Sequence, residues 1–181
     1  NTWSTSLLNK TNLNTNFINN IGSTWANKIA TTTWKVGGNV WSNIQTSVPS
    51  VAYQNEIINP VTKNTTDNAT EYTAKIGLMY VSDYYYSSSP NTWTLVGYNI
   101  DSTKDYSAAK TLNWIYMGLG EWTISRVADY SDDAFNVSDF GYVGRSYVMG
   151  MLGVRPVFNL ESSVTYKSGT GTSSDPIKIN L

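Results

Sequence analysis

For chemistry this chain has twelve Lys and Arg, thirteen Asp and Glu, thirteen Tyr and its Ser and Thr hydroxyls; it has no Cys and no His. That excludes thiolate nucleophiles, disulfides and thiol-ligated zinc. It excludes equally a Ser-His-Asp triad and a two-His iron site. Any reaction would rest on carboxylates, Lys, Tyr or Ser, and any metal on hard oxygen ligands, so no transition metal is expected.

Three groupings of residues carry the functional reading. The densest acidic run is Asp129, Tyr130, Ser131, Asp132, Asp133, Asn136, Ser138 and Asp139. Asp129, Asp132, Asp133 and Asp139 are the ligand type that calcium takes, although their spacing is not that of an EF-hand loop. The same carboxylates could form a glycosidase pair, or simply a solvated loop. The second grouping is Tyr84-Tyr85-Tyr86 followed by three serines, with Trp93 close by. Rigid amphipathic rings beside small hydroxyls make an adaptable recognition surface; the alternative is a loop whose tyrosines cover the core. Tyr142 and Tyr147 extend the acidic run, so the expected ligand-binding surface is Tyr84 to Trp93 together with Asp129 to Tyr147. In the third grouping, Glu121, Trp122, Arg126 and Arg155 have structural roles. Glu121 and Arg155 are expected to form a buried ion pair, with Arg126 as the alternative partner. Trp3, Trp25, Trp34 and Trp41 are assigned to core packing, with a carbohydrate platform as the rival reading.

The elements that must hold these groups follow from periodicity. Leu7, Leu8, Leu13, Phe17, Ile18 and Ile21 suggest a helix that ends at Gly22, and Ser23 to Thr31 a second one. Thr32 to Val36 reads as a strand, Asn39 to Ser47 is ambiguous, and 48–73 reads as an irregular connection with a mobile tip at 64–70. Lys75 to Val81 is apolar on both faces and reads as a central buried strand. Tyr84 to Thr92 reads as a loop. Trp93 to Ile100 is a possible strand and Asp101 to Lys110 a polar stretch with room for a short helix. Trp114 to Met117 and Trp122 to Arg126 read as short strands. Asn136 to Phe140 and Tyr142 to Val148 read as a hairpin around Gly141. Gly153 to Leu160 reads as a closing strand in the same sheet system as Lys75 to Val81. A last pair, Val164 to Tyr166 and Ile177 to Ile179, flanks a Gly-rich turn.

Composition bounds the rest. With 40% hydrophobic and only 14% charged residues, the surface is solvated by neutral Asn, Ser and Thr, a pattern expected of an exported bacterial surface protein. The net charge of -1 and the absence of a basic stripe argue against nucleic acid. No segment is long enough to insert in a membrane. Asn1 opens directly into polar sequence, so an upstream signal or anchor is expected to be missing. The sequons at Asn9, Asn64, Asn68 and Asn136 are read as composition.

Several segments in order resemble a family of exported domains from low-GC Gram-positive bacteria, often prepilin-like or surface proteins. They are Trp3-Ser4-Thr5-Ser6-Leu7-Leu8, Lys75 to Tyr84, Asn113-Trp114, Glu121 to Arg126, Gly153-Val154-Arg155-Pro156-Val157-Phe158 and Val164 to Thr172. Glu121-Trp122-Thr123 and Gly153-Val154-Arg155 are also similar to the wider C-type-lectin-like and formylglycine-generating-enzyme-like group. The resemblance implies an α+β, C-type-lectin-like fold: two N-terminal helices, small twisted antiparallel sheets and long irregular loops. It implies a single exported surface domain over 1–181, with a helical part at about 1–31, the connection at 48–73 and a core at 74–181. The cysteines and histidines of the group's enzymes are absent, and no calcium-dependent sugar motif is complete. The expectation is a non-enzymatic extracellular binding module, adhesin-type or pilus-associated, that recognises a carbohydrate or a host or bacterial surface protein. A filament subunit that pairs with copies of itself is the alternative, a retroelement-diversified variable protein the third, and a carboxylate-only hydrolase the outsider. No cofactor is expected beyond calcium.

Overall fold

The computed structural model describes residues 2–46, 48–60, 70–93 and 106–181. Residues 94–100 of the possible strand, 101–105 of the polar stretch after it and 64–69 of the expected tip, with the sequons Asn64 and Asn68, lie outside the described residues. The architecture is α+β, with few helices and small antiparallel sheets.

The chain opens with a helix, α1, made of a wide-turned π segment Leu8–Phe17 continued by an α turn Ile18–Asn20. Leu8, Leu13 and Ile18 recur every fifth residue, a spacing that i→i+5 hydrogen bonding keeps near one face. All three pack on the core. Asn14 lies five residues after Asn9 and bonds to its side chain at 2.8 Å. Asn14 also pairs both ways with the Ile76 backbone, at 3.0 and 2.9 Å, as a neighbouring strand would. Asn is a poor helix former; here its amide ties α1 to the centre of the molecule. The short helix α2 (Ser23–Ala26) follows Gly22, whose φ of 81° ends α1.

Strand β1 (Thr32–Lys35) pairs antiparallel with β2 (Glu71–Ala74). Between them stand α3 (Trp41–Thr46) and α4 (Pro49–Tyr53, extended by Gln54–Ile58). The irregular connection expected over 48–73 is thus corrected at both ends. Pro49 suits a first helical turn, and Ala52 is fully buried.

Residues 76–80 run through the middle of the molecule and lead into Val81. Ile76 and Leu78 belong to one apolar cluster, with Trp3, Leu13, Ile29, Trp34, Trp122 and Ile124. Met79 and Val81 belong to the other, with Ile44, Tyr84, Tyr85, Phe135, Val137 and Val143. The segment is buried on both sides, but it pairs through single bridges rather than a ladder. Gly77 exchanges hydrogen bonds with Val157 at 2.9 and 3.0 Å, and Ile124 N donates to Met79 O at 3.0 Å. Gly153 to Leu160 behaves in the same way, bridging Glu121, Gly77 and Ile29 in turn.

Val81 opens helix α5 (Val81–Tyr86), which corrects the expected loop. The first-turn N–H groups of a helix need outside acceptors, and here buried carboxylate oxygens supply them. Strands β3 (Glu121–Arg126), β4 (Asp133–Val137) and β5 (Val143–Tyr147) form the largest sheet, in that order and all antiparallel. Trp114 to Met117, expected as a strand, is a turn with Trp114 83% exposed. Strands β6 (Thr165–Ser168) and β7 (Lys178–Asn180) make a separate ribbon. Among the described residues no helix is long and apolar enough to cross a membrane.

Candidate functional site

The β4–β5 hairpin builds the site. Its register pairs Phe135 with Arg145 and Asn136 with Gly144. Side chains alternate across a strand, so Phe135, Val137 and Val143 share one face, with Arg145. Ala134, Asn136, Gly144 and Ser146 share the other. The first face packs on the core through Phe135, Val137 and Val143, all fully buried. The second carries only small or polar side chains.

The turn is pinned from outside. Gly141 has a φ of 82°, and a Cβ there would meet Lys110 Cα at 2.6 Å, so no other residue fits. Its carbonyl accepts the Tyr84 hydroxyl at 2.7 Å.

Along β5, the edge strand, runs an open cleft of about 650 Å³. It is lined by Trp41, Asn136, Ser138, Asp139, Tyr142, Gly144, Arg145, Ser146 and Leu152, among others. Arg145 pairs with Asp133. Its guanidinium lies 3.9 Å from the Tyr130 ring centre and 5.3 Å from that of Trp41, within cation–π range. The Trp41 ring packs 6.0 Å from Phe135, and its backbone N–H donates to Asp129 at 2.9 Å. Tyr142 stacks on Phe140 at 6.4 Å with planes 7° apart. Asn136, 4% exposed, donates to Ser146 Oγ at 2.7 Å.

The sequence-selected residues therefore divide. Tyr130 and Asp133 meet at Arg145, Asp129 accepts the backbone N–H of Trp41, and Tyr142 lines the cleft directly. Asp132 and Tyr147 are exposed. Tyr147 lines a shallower depression beside the cleft, with Asp133, Arg145 and Met149. Tyr84 and Tyr85 are corrected: both are fully buried core residues. Their hydroxyls are spent on Gly141 O and on Ile44 O, the latter at 3.2 Å, so neither reaches a ligand. Tyr86 and Trp93 meet edge to face at 6.2 Å and are not among the described residues that line the cleft. Among the described residues no three acidic side chains gather into a metal site; Asp133 is engaged by Arg145 and Asp129 by Trp41.

Glu121 receives a two-pronged contact from Arg155, Nε at 3.1 Å from Oε2 and Nη2 on Oε1. Arg126 donates instead to Gly37 O. Burial raises the Glu121 pKa, and Arg155 opposes the rise. Trp122 is buried in the apolar cluster shared with α1.

The chain matches none of the protein-family models, curated proteins or solved structures compared with it.

Sequence reasoning counted Asn136 in the acidic run and covered Gly144, Arg145 and Ser146 only as part of the span Asp129 to Tyr147, without singling them out, and it assigned Trp41 to core packing first. The available signal was the alternation Ala134-Phe135-Asn136-Val137 facing Val143-Gly144-Arg145-Ser146, which leaves one face without apolar bulk. Sequence reasoning missed Glu56, which is 1% exposed. Its carboxylate accepts Val81 N at 3.2 Å, Ser82 N at 3.0 Å and the Ser125 hydroxyl. Burial pushes its pKa up to about 7. It is closed off from solvent, so its role is to satisfy the start of α5 and tie that helix to β3.

Proposed function

We propose that this chain is a non-enzymatic extracellular binding module of C-type-lectin-like fold, from the exported Gram-positive family that its motifs resemble, and that it takes a carbohydrate or protein ligand in the β5 cleft. The observation that carries this reading is the cleft itself, in which aromatic rings, an amide, hydroxyls and a guanidinium meet on an edge strand. Concave sites with a few convergent polar groups are where ligands bind. A binding role is favoured over catalysis because Asp139 is the sole carboxylate among the described lining residues, whereas glycoside hydrolysis needs two.

The test is retention of the purified domain on a combined glycan and surface-protein array. Trp41→Ala, Tyr142→Ala and Arg145→Ala should each lose retention while far-UV circular dichroism stays unchanged. Equal binding by all three variants would place the site elsewhere.

A second reading, a filament or surface building block that pairs with copies of itself, is favoured by one observation. Leu7, Met149 and Met151 are 77%, 88% and 100% exposed. Leu7 lines an apolar groove of about 390 Å³ with Trp3, Leu8, Trp122, Ile124 and Val148. Exposed apolar groups of this kind mark contact surfaces. Concentration-dependent sedimentation that Met149→Ser with Met151→Ser abolishes would support it; a monomer at all concentrations would remove it.

A further inference from the structure

We infer that the β5 cleft takes a neutral, hydroxyl-rich ligand of the pyranose class, and that the buried amide of Asn136 is the group that reads it, with Gly144 holding the space the amide needs. The inference rests on the reading of the cleft as the binding site.

The charge balance of the cleft excludes a strongly ionic ligand. Arg145, the cation among its described lining residues, is already paired with Asp133 and set against two aromatic rings. An incoming carboxylate or phosphate would compete with that pair. Asp139 would repel a second anion.

The remaining chemistry is amide, hydroxyl and ring. Asn136 sits on the central strand with 4% exposure, yet lines the cleft. A buried amide costs stability unless its hydrogen bonds are made. An Asn side chain has two donors and an acceptor with two lone pairs; among the described residues its amide meets one partner, Ser146. A sugar's neighbouring hydroxyls each donate and accept, which suits the donors and the acceptor that the amide has left.

Gly144 makes the arrangement possible. A Cβ there would stand 2.9 Å from Asn136 Oδ1 and 4.0 Å from the Tyr142 ring. Any larger residue would force the amide to shift from the position in which it donates to Ser146. The residue opposite Asn136 in the register is therefore the one that sets the amide's position.

The experiment uses the whole chain, isotope-labelled, titrated with cellotetraose, chitotetraose and mannotetraose as neutral probes and with tetragalacturonate as the acidic one. Arrayed surface proteins run in parallel. The expected result is that a neutral probe saturably shifts the Asn136 side-chain amide resonance. Asn136→Ala and Gly144→Ala should then weaken that probe at least about tenfold. Should either variant lose its near-UV signal, the Asn136 resonance in the parent protein still decides. A neutral probe bound equally by both folded variants, or without a shift at Asn136, overturns the assignment of Asn136. Binding confined to tetragalacturonate or to arrayed proteins overturns the ligand class and leaves the binding module standing. No binding to any probe or protein overturns both.

Discussion

Two glutamates of this molecule are equally hidden and differently held. Glu121 is fully buried and meets the guanidinium of Arg155. Glu56 is 1% exposed and, among the described residues, accepts from two backbone N–H groups and the Ser125 hydroxyl. One carboxylate has a counter-charge and the other has dipoles. A counter-charge keeps a buried carboxylate ionised at the cost of depending on its partner. Dipoles alone leave the charge poorly compensated, so the proton becomes the partner near neutral pH.

The largest effect should come from breaking the counter-charge. Arg155→Ala leaves the Glu121 carboxylate buried and unpaired, which typically costs about 3–5 kcal/mol. Urea unfolding followed by tryptophan fluorescence should show it as a lowered midpoint. The double variant Arg155→Met with Glu121→Gln should recover much of the loss, because it buries no unpaired charge. A loss below about 1 kcal/mol in the single variant would mean that water reaches Glu121 and that the two carboxylates are less alike than their burial says.

Glu56 should declare itself through pH. Its folded pKa, about 7, lies above the ordinary 4.5, so between those values the folded state holds a proton that the unfolded state has released. The stabilisation is fully present below about pH 4.5 and is lost as pH rises through 7. By linkage the loss is about 3 kcal/mol. Urea midpoints measured from pH 5 to pH 8 should fall, and Glu56→Gln should flatten most of the slope. Glu121, also raised by burial but opposed by Arg155, supplies a residual slope of the same sign. A parent protein equally stable at pH 5 and pH 8 would show that the helix dipole and the serine compensate the charge completely.

The contrast also marks how far the sequence could be read. The Glu121–Arg155 pairing was legible because Glu121-Trp122-Thr123 and Gly153-Val154-Arg155 stand out as motifs, although only the first lies on a strand. Strand β3, the hairpin around Gly141 and the buried run at 76–81 were legible from apolar runs and turn residues. Glu56 was not, because it lies in a polar stretch whose helix forms only when Ala52 and the start of α5 pack against it. Helix α5 was hidden for the same reason: three tyrosines and three serines carry no helical signal, and the acceptors for its first turn come from residues 25 positions away or more. The cleft was half legible. Its aromatic and acidic rim stood out by composition, while Asn136, Gly144 and Ser146 gain meaning only from the cross-strand register.

Within α5 the neighbouring tyrosines offer a finer version of the comparison. Tyr84 is fully buried and its hydroxyl bonds to Gly141 O at 2.7 Å, whereas Tyr86 is 52% exposed. Tyr84→Phe keeps the ring and removes the bond. It should cost about 1 kcal/mol, more if the Gly141 carbonyl is left without a donor. Tyr86→Phe should change nothing measurable by the same urea titration. Equal effects would mean that the turn at Gly141 is held by the Lys110 backbone alone.

The smallest effect concerns an ion pair of the same chemistry as Glu121–Arg155 in the opposite setting. Lys35 and Glu71 face each other across β1 and β2. Their side chains are 33% and 52% exposed, against 27% and 0% for Arg155 and Glu121. Water screens the attraction, and two long side chains lose rotamer freedom to meet. Exposed pairs of this kind contribute about 0–1 kcal/mol. Glu71→Gln should therefore move the urea midpoint by a few tenths of a kcal/mol at most, and the difference should vanish in 1 M salt, where the Debye length falls to about 3 Å. Arg155→Ala should keep nearly its whole effect in the same salt, because its partner carboxylate is out of reach of counter-ions. If both variants responded to salt alike, burial would not be what separates them, and the strength of the Glu121 pair would have to come from its two-pronged geometry alone.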